Sequence, residues 1–386
     1  MREFGLSLTQ ITLIGTAFYF LFGAGAIPSG AIGDRWSDEG VLVIFLIGAS
    51  LSSLLVGYSK SVLTFAISLC LLGAFISLYH PVGFSLISQG VRQRGKVMGL
   101  HGIAGNVGLA GAPLLAGLVA AELSWRYVYY LMALPGLVVG LGLLFIKLDF
   151  KAQEVKGKVE SRPVEGAINW PLLILLFVAM GLSGFIYQGV MTILPTYLST
   201  RIDYLSLPEI AKGGLFTTIV LAVGALGQYI GGRLSDRANP ARLYLYFYLL
   251  SLPFMLIIGF ALNLPLILAA SVFAVFHFAN QPVETTLIAE NTPAAWRSRS
   301  YGFMFATIFG LGSLSAVISG FVGENYGLPT VFFMLSAVIA LAAVVAFSLG
   351  RLPSQTSRSE RLGSESSPEA DVIAEVSLEE TLSKPS

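Results

Sequence analysis

Long apolar runs of roughly 20 residues, repeated along the chain and parted by short polar turns, leave few folds open to this sequence. A run of that length is an α-helix that crosses a bilayer, because a helix rises about 1.5 Å per residue and the hydrocarbon core is about 30 Å thick. Eleven runs answer the description: 9–33, 39–58, 61–89, 97–120, 124–148, 169–199, 213–234, 241–262, 264–290, 300–322 and 328–350. Only 12% of residues are charged and 55% are apolar, whereas an average soluble domain is about 25% charged. So few charges cannot wrap so apolar a core in water, and lipid is the expected solvent. The expected fold class is therefore all-α, a polytopic membrane protein of eleven transmembrane helices. The first run is long enough to span and lacks the basic region of a cleavable signal, so none is expected.

Other classes are disfavoured by what the chain carries. A net charge of +1 makes no electrostatic case for nucleic acid. The single cysteine, Cys70, rules out disulfides and cysteine-rich metal sites. No nucleophile–base pair, metal cluster or phosphate loop stands out, so neither catalysis nor a cofactor is expected. Two segments are polar: 149–168, charged and containing Pro163, reads as a linker, and 351–386, rich in Ser and Glu, reads as a disordered tail. Basic residues set the orientation. With the N-terminus outside, the inside loops collect fifteen Lys and Arg and the outside positions five. That places the C-terminus in the cytoplasm and the N-terminus outside, in a multi-pass protein of the cytoplasmic membrane.

The chain also repeats itself. Gly30-Ala31-Ile32-Gly33-Asp34-Arg35 resembles Gly232-Arg233-Leu234-Ser235-Asp236-Arg237, 202 residues later. Pro81-Val82 with Leu86-Ile87 resembles Pro282-Val283 with Leu287-Ile288, at an offset of 201. A parallel repeat of half the protein accounts for both pairs. It divides the chain into an N-terminal bundle (1–148), the linker, a C-terminal six-helix bundle (169–350) and the tail. Two runs precede the Asp-Arg element in the second half and one in the first. The five-plus-six count is expected from a chain whose first helix is missing; a native eleven-helix protein is the alternative.

These elements resemble the major facilitator superfamily, whose signature between its second and third helices reads roughly G-x-x-x-D-R-x-G-R-R. Gly30, Asp34 and Arg35 match its start, although Ser37, Asp38 and Glu39 stand where its basic end would be. Gly232, Asp236 and Arg237 match in the second copy, with Arg242 beyond. The resemblance implies a gate element, in which carboxylate and arginine clasp in one conformation and part in another. An inside loop that simply collects arginine is the plainer reading. Tyr79-His80-Pro81-Val82-Gly83 and the stretch His101 to Gly108 are further similar to the fosmidomycin-resistance-like branch of drug exporters. Gly108 to Gly117 is similar to an antiporter motif, with Ala112 before Pro113; Gly108, Ala112 and Ala116 would make a smooth face for close packing and Pro113 a bend. Proton-linked exporters of the family often carry an arginine in helix four; Leu69 stands there.

Ionisable groups inside a membrane cost roughly 2.5–3.5 kcal/mol to insert and are functional by default. His80, His101, His277 and Glu284 all fall within runs. The repeat aligns His80 with Gln281, and on the family's plan His80, Gln281 and Glu284 would face one another across a central cavity. A histidine or a buried glutamate can change charge near neutral pH, as proton coupling needs. Neutral histidines bonded to neighbouring helices are the alternative. Tyr187, Gln188, Asn280 and Asn106 add polar contacts near the predicted midplane, with Tyr79 and Phe185 as aromatic wall. The expected function is alternating-access transport of a small organic or drug-like solute, exported in exchange for protons by a monomer in the lipid bilayer. A metabolite uptake or facilitated-diffusion carrier is the alternative within transporters. A membrane receptor or partner subunit is the alternative outside them.

Overall fold

The computed structural model describes residues 2–35, 38–80, 82–83, 94–145, 170–292 and 297–352, without side chains at 2, 30, 31, 33–35, 38, 94–96, 98–100 and 297–299. The linker expected at 149–168 and nearly all of the expected tail lie outside these residues. All regular structure among them is helical. The first five spans are α1 (Leu8–Arg35), α2 (Asp38–Tyr58), α3 (Val62–Ile76), α4 (Arg94–Glu122) and α5 (Trp125–Phe145). The next four are α6 (Trp170–Arg201), α7 (Glu209–Ser235), α8 (Pro240–Phe260) and α9 (Asn263–Asn291). The tenth is α10 (Arg297–Phe305), a π turn (Ala306–Leu311) and α11 (Leu314–Tyr326), and the last is α12 (Leu328–Leu349).

Among the described residues ten spans are long and apolar enough to cross a membrane, and the 15-residue α3 is shorter. The third and tenth spans differ from their expected continuous form. α3 ends at Ile76, the chain turns at Ser77 and Leu78, and helix resumes at Tyr79–His80. The Ser77 hydroxyl bonds the Ala74 carbonyl, which lets a polar turn sit at membrane depth. In the tenth span Gly312 N–H donates to the Thr307 carbonyl, one residue beyond the α-helical partner. The two Asp-Arg elements are also less loop-like than expected. Gly30 to Arg35 is the last turn of α1, and α7 runs on to Ser235 with Asp236 as its C-terminal cap.

α2 packs on α3 and α5, and α1 on α3, as one bundle; α6 to α12 form another; and α1 and α4 make their larger contacts across the boundary, with α11, the π turn and α7. With no water to expel from between helices in lipid, close packing and interhelical hydrogen bonds hold such bundles. The C-terminal bundle has the larger core among the described residues, where Tyr197 is fully buried, packs at a tilt against Phe332 and donates to the Ile258 carbonyl at 2.9 Å. Large apolar side chains face outward all round, such as Leu63, Phe145 and Phe260, as a lipid surface requires. Gly327, at φ 87°, makes the tight turn between α11 and α12 that a side chain would strain.

Because successive spans run in opposite directions, the start of α1, the ends of α4 and α11 and the start of α7 lie at one end of the molecule. There the two bundles touch. Gly117 of α4 meets the Ile210 carbonyl of α7, and Gly214 of α7 meets the Pro113 carbonyl, backbone on backbone. Pro113 disturbs the hydrogen bonding of its own turn, and the neighbouring Leu114 N–H donates to Thr218 across the bundle boundary at 3.0 Å. The expected smooth face of Gly108, Ala112 and Ala116 is not the one in contact: a Cβ on Gly108 would meet nothing within 4 Å and Ala112 is exposed. Pro113 and Gly117 take that place, because a carbonyl meeting a glycine allows closer approach than alanine methyls do. On the other flank Thr9 gives both its N–H (2.8 Å) and its hydroxyl (2.6 Å) to Glu324 of α11, and the Thr16 hydroxyl donates to the Ser313 carbonyl.

Toward its start α4 is more exposed. A Cβ on Gly102, Gly105 or Gly108 would meet nothing within 4 Å, and Ile103 and Val107 are 62% and 67% exposed. The two bundles are thus joined at the end where α4 meets α7 and α1 meets α11.

Candidate functional site

Between these ends the two bundles meet through rings and amides. From the first bundle come Phe22 of α1 and the Tyr79–His80 turn after α3. From the second come Tyr187 of α6 and the Phe305–Phe309 pair that flanks the π turn. Phe22 lies edge-on to Phe309 at 4.9 Å, and His80 stacks on Phe305 at 5.2 Å. Phe22 also meets His80, and Phe309 meets Tyr187. Tyr187 stacks in turn on His277 of α9. His80 and Tyr187 thus join an aromatic layer at the bundle boundary. His101 accepts or donates a 3.2 Å hydrogen bond with the Tyr79 hydroxyl inside the first bundle.

The amides form a bridge. Asn106 Nδ2 of α4 donates to Gln228 Oε1 of α7 at 2.6 Å, and Gln228 Nε2 donates to Gln281 Oε1 of α9 at 2.6 Å. Asn106 and Gln281, both expected near the cavity, are therefore joined, and Gln228 is the residue that joins them. It lies inside an apolar run as the one amide of its helix. That was a legible signal, since a polar side chain at membrane depth needs a partner.

Glu284 is placed elsewhere. It is 2% exposed inside the C-terminal bundle, where the Tyr244 hydroxyl of α8 donates to it at 2.9 Å. The Tyr248 hydroxyl donates to Tyr244, and the Ser183 hydroxyl of α6 bonds the same cluster. Among the described residues no ion pair reaches Glu284. The expected meeting of His80, Gln281 and Glu284 across a cavity is not what the geometry gives. Gln281 and Glu284 are three residues apart, but Gln281 turns to α7 and Glu284 to α8. His80 sits among rings of α1 and α10.

Gln188 and Asn280 are fully buried, and none of their side-chain nitrogens or oxygens has a protein partner. Burying an unpaired polar group costs about 1–3 kcal/mol, so such groups in a well-packed interior serve something besides packing. Gln188 shares a helix face with Gly181 and Gly184, which press on Thr307 and Ile308 of the π turn. Asn280 shares one with His277 and Glu284. At the far end of α7, Asp236 and Arg237 are exposed, while Arg233 bonds Tyr229. Gly232 is close only to Pro282. Asp34 and Arg35 lie at the corresponding end of α1, with their side chains outside the described residues.

Two helical bundles with a lipid-facing exterior, joined through one end and a polar-aromatic middle, define a polytopic membrane protein of the transporter class. A family model described as Major Facilitator Superfamily matches residues 1–313 and 209–383, and the chain belongs to that superfamily. It is 28% identical over 347 residues to the multidrug resistance protein MdtG of Serratia proteamaculans, covering 85% of this chain and 81% of the relative. It is 24% identical to a Haemophilus influenzae protein named for metabolite transport, covering 87% and 84%. Among solved structures, a bacterial homologue of the human lysosomal transporter Spinster, inward-facing and occupied, superposes with a TM-score of 0.74 at 18% identity, covering 90% of each chain. A single-substitution mutant of the nucleoside transporter NupG superposes at 0.72 and 15% identity, covering 89% of this chain and 91% of that one.

Proposed function

We propose that this chain exports a small organic or drug-like solute in exchange for protons by alternating access. The observation that carries this reading is a carboxylate, Glu284, buried inside a membrane-spanning bundle with no ion-pair partner among the described residues. A charge held in such a place is costly unless neutralised, which is the setting in which a carboxylate can couple to a proton. Gaining and losing that proton changes the hydrogen bonds to Tyr244 and Ser183, and so biases how α6, α8 and α9 pack. The two bundles then rock about the aromatic layer. With the N-terminus outside, the joined end is the outer one. The Asp34–Arg35 and Asp236–Arg237 elements then lie on the cytoplasmic side, where they would clasp when the outer end opens. The aromatic layer of Phe22, His80, Tyr187, Phe305 and Phe309 gives a mostly apolar wall for an organic solute, with the amide bridge as its polar side. The MdtG relatives favour export of drug-like compounds. The metabolite-transport relative supports a second reading, a carrier for a metabolite, in which Glu284 couples uptake instead.

Accumulation of a panel of labelled lipophilic compounds in cells, with and without a protonophore, tests the proposal. The chain lowers accumulation of at least one compound, and both the protonophore and Glu284→Gln abolish the effect. Lowered accumulation that persists in Glu284→Gln refutes the coupling role. Protonophore-insensitive equilibration in both directions identifies a facilitator.

A further inference from the structure

Asn280 stands on the same buried stripe as Glu284 and has no part in the coupling step as stated above. Successive helical residues turn by about 100°, so Phe273, His277, Asn280 and Glu284 share one face of α9. On the opposite face Gly227 and Gly231 of α7 press against Val275 and Ala279. The stripe therefore looks away from α7, into the C-terminal bundle. Two contacts set its register on α6: His277 stacks on Tyr187, and Ser183 bonds Glu284. Asn280 lies between these two points, fully buried, with neither its amide nitrogen nor its oxygen bonded to protein. Tyr187 at the head of the stripe touches Phe309 in the aromatic layer. Phe273, a buried member of the apolar core, also stacks on His277.

We propose that this stripe is the route by which a proton reaches Glu284, and that Asn280 holds the water through which it passes. The inference rests on the reading of Glu284 as the coupling carboxylate. An amide offers a donor and an acceptor together, which orients a water in both senses. A buried water needs two to four polar partners, and Asn280, Glu284 and Ser183 are those the lower part of the stripe offers. A proton arriving from the Tyr187 side binds one ring nitrogen of His277, and the other ring nitrogen releases its proton to a short file of waters held by Asn280, since seven residues set His277 about 10 Å along α9 from Glu284. The last water of the file passes a proton to the Glu284 carboxylate. A neutral carboxylic acid, the other neutral imidazole tautomer and the same waters remain, so atoms and charge balance. The groups facing the carboxylate are Tyr244 and, through it, Tyr248 from α8 and Ser183 from α6, with His277 and Tyr187 two turns up the stripe and Tyr301 of α10 bonded to the Thr285 carbonyl. On this route protons travel inside the C-terminal bundle, apart from the amide bridge between bundles.

The test needs no solute. Protein reconstituted in liposomes is given a pH jump, and infrared difference spectra follow the carboxylic acid carbonyl band that Glu284→Gln removes. Asn280→Leu keeps the amplitude of that band but slows its appearance about tenfold or more, and His277→Phe does the same. Asn280→Ser, which keeps a hydroxyl to hold water, stays near the original rate. A purely structural role for Asn280 would alter the band or the fold without this rescue. Unslowed appearance of the band in both Asn280→Leu and His277→Phe overturns the route and leaves the coupling reading intact. Absence of any Glu284-dependent band across the pH range overturns both.

Discussion

Asn106, Gln228 and Gln281 come from three helices and both bundles, yet they share two short hydrogen bonds. Removing the middle member leaves two amides facing each other without a partner. Interhelical hydrogen bonds in membranes are worth about 0.6–2 kcal/mol each. Gln228→Leu should therefore lower stability in detergent by about 1–2 kcal/mol, read as a lower midpoint of thermal unfolding, with a larger loss than Gln228→Asn. A second prediction concerns Glu3 at the closed end. It accepts hydrogen bonds from the Trp125 indole at 2.7 Å and from Arg126 at 2.6 Å, and Phe4 lies edge-on to Trp125. The Trp125 bond first, and Arg126 beside it, hold the Glu3 carboxyl below its ordinary value. A carboxyl lowered in the fold stabilises above its unfolded value and loses that contribution as pH falls through the lowered one. Trp125 fluorescence should accordingly change at a pH below about 4, the ordinary carboxyl range, and Glu3→Gln should remove that step. At this scale the sequence was readable where polarity clashes with an apolar run, as for Glu284, Gln281, Asn106 and Asn280. Partners were not readable, because the direction of a side chain around its helix depends on packing. Tyr244 and Phe309 were hidden for a different reason: among 26 phenylalanines and 15 tyrosines, most of which belong at a lipid surface or in packing, nothing marks these out.

At the scale of helices, contact without side chains decides where the bundles join. A Cβ on Gly214 would fall on the Pro113 carbonyl, and one on Gly117 would come within 2.8 Å of the Ile210 carbonyl. Overpacking of this kind costs about 1–3 kcal/mol, which shifts a two-state population by about 5–150-fold. Gly214→Val should therefore depopulate the form seen here, so that a cysteine placed at Leu207, beside α7, reacts faster with a membrane-impermeant maleimide in a Cys70→Ser background. Unchanged labelling would mean that α4 and α7 part without repacking. Element existence was legible because every span must satisfy its own backbone in lipid, and only helices do so in isolation. The breaks at Ser77 and at the π turn were not, since serine and glycine are ordinary inside membrane helices and it is the tertiary contacts that make them bend. The helix ends run a few residues beyond the apolar runs, as at Arg201 and Arg35, because long basic side chains can keep their charge at the interface while their helix continues.

At the scale of the molecule, the repeat of Gly30–Arg35 by Gly232–Arg237 leads to the expectation of two halves. Their relation could not be read from residues, because one sequence serves every conformation of a rocking pair. Alternating access requires that the joined end open when the opposite end closes. Spin-label distances measure this directly. Labels at Leu123 and Leu207 report the joined end, and labels at Phe145 and Leu234 report the opposite one, all on exposed side chains. In liposomes the account predicts two populations at each pair. They shift in opposite directions, the first pair lengthening as the second shortens, when pH is changed or Gly214→Val is introduced. A single unmoving distance at both pairs, or both pairs lengthening together, would contradict alternating access in this chain.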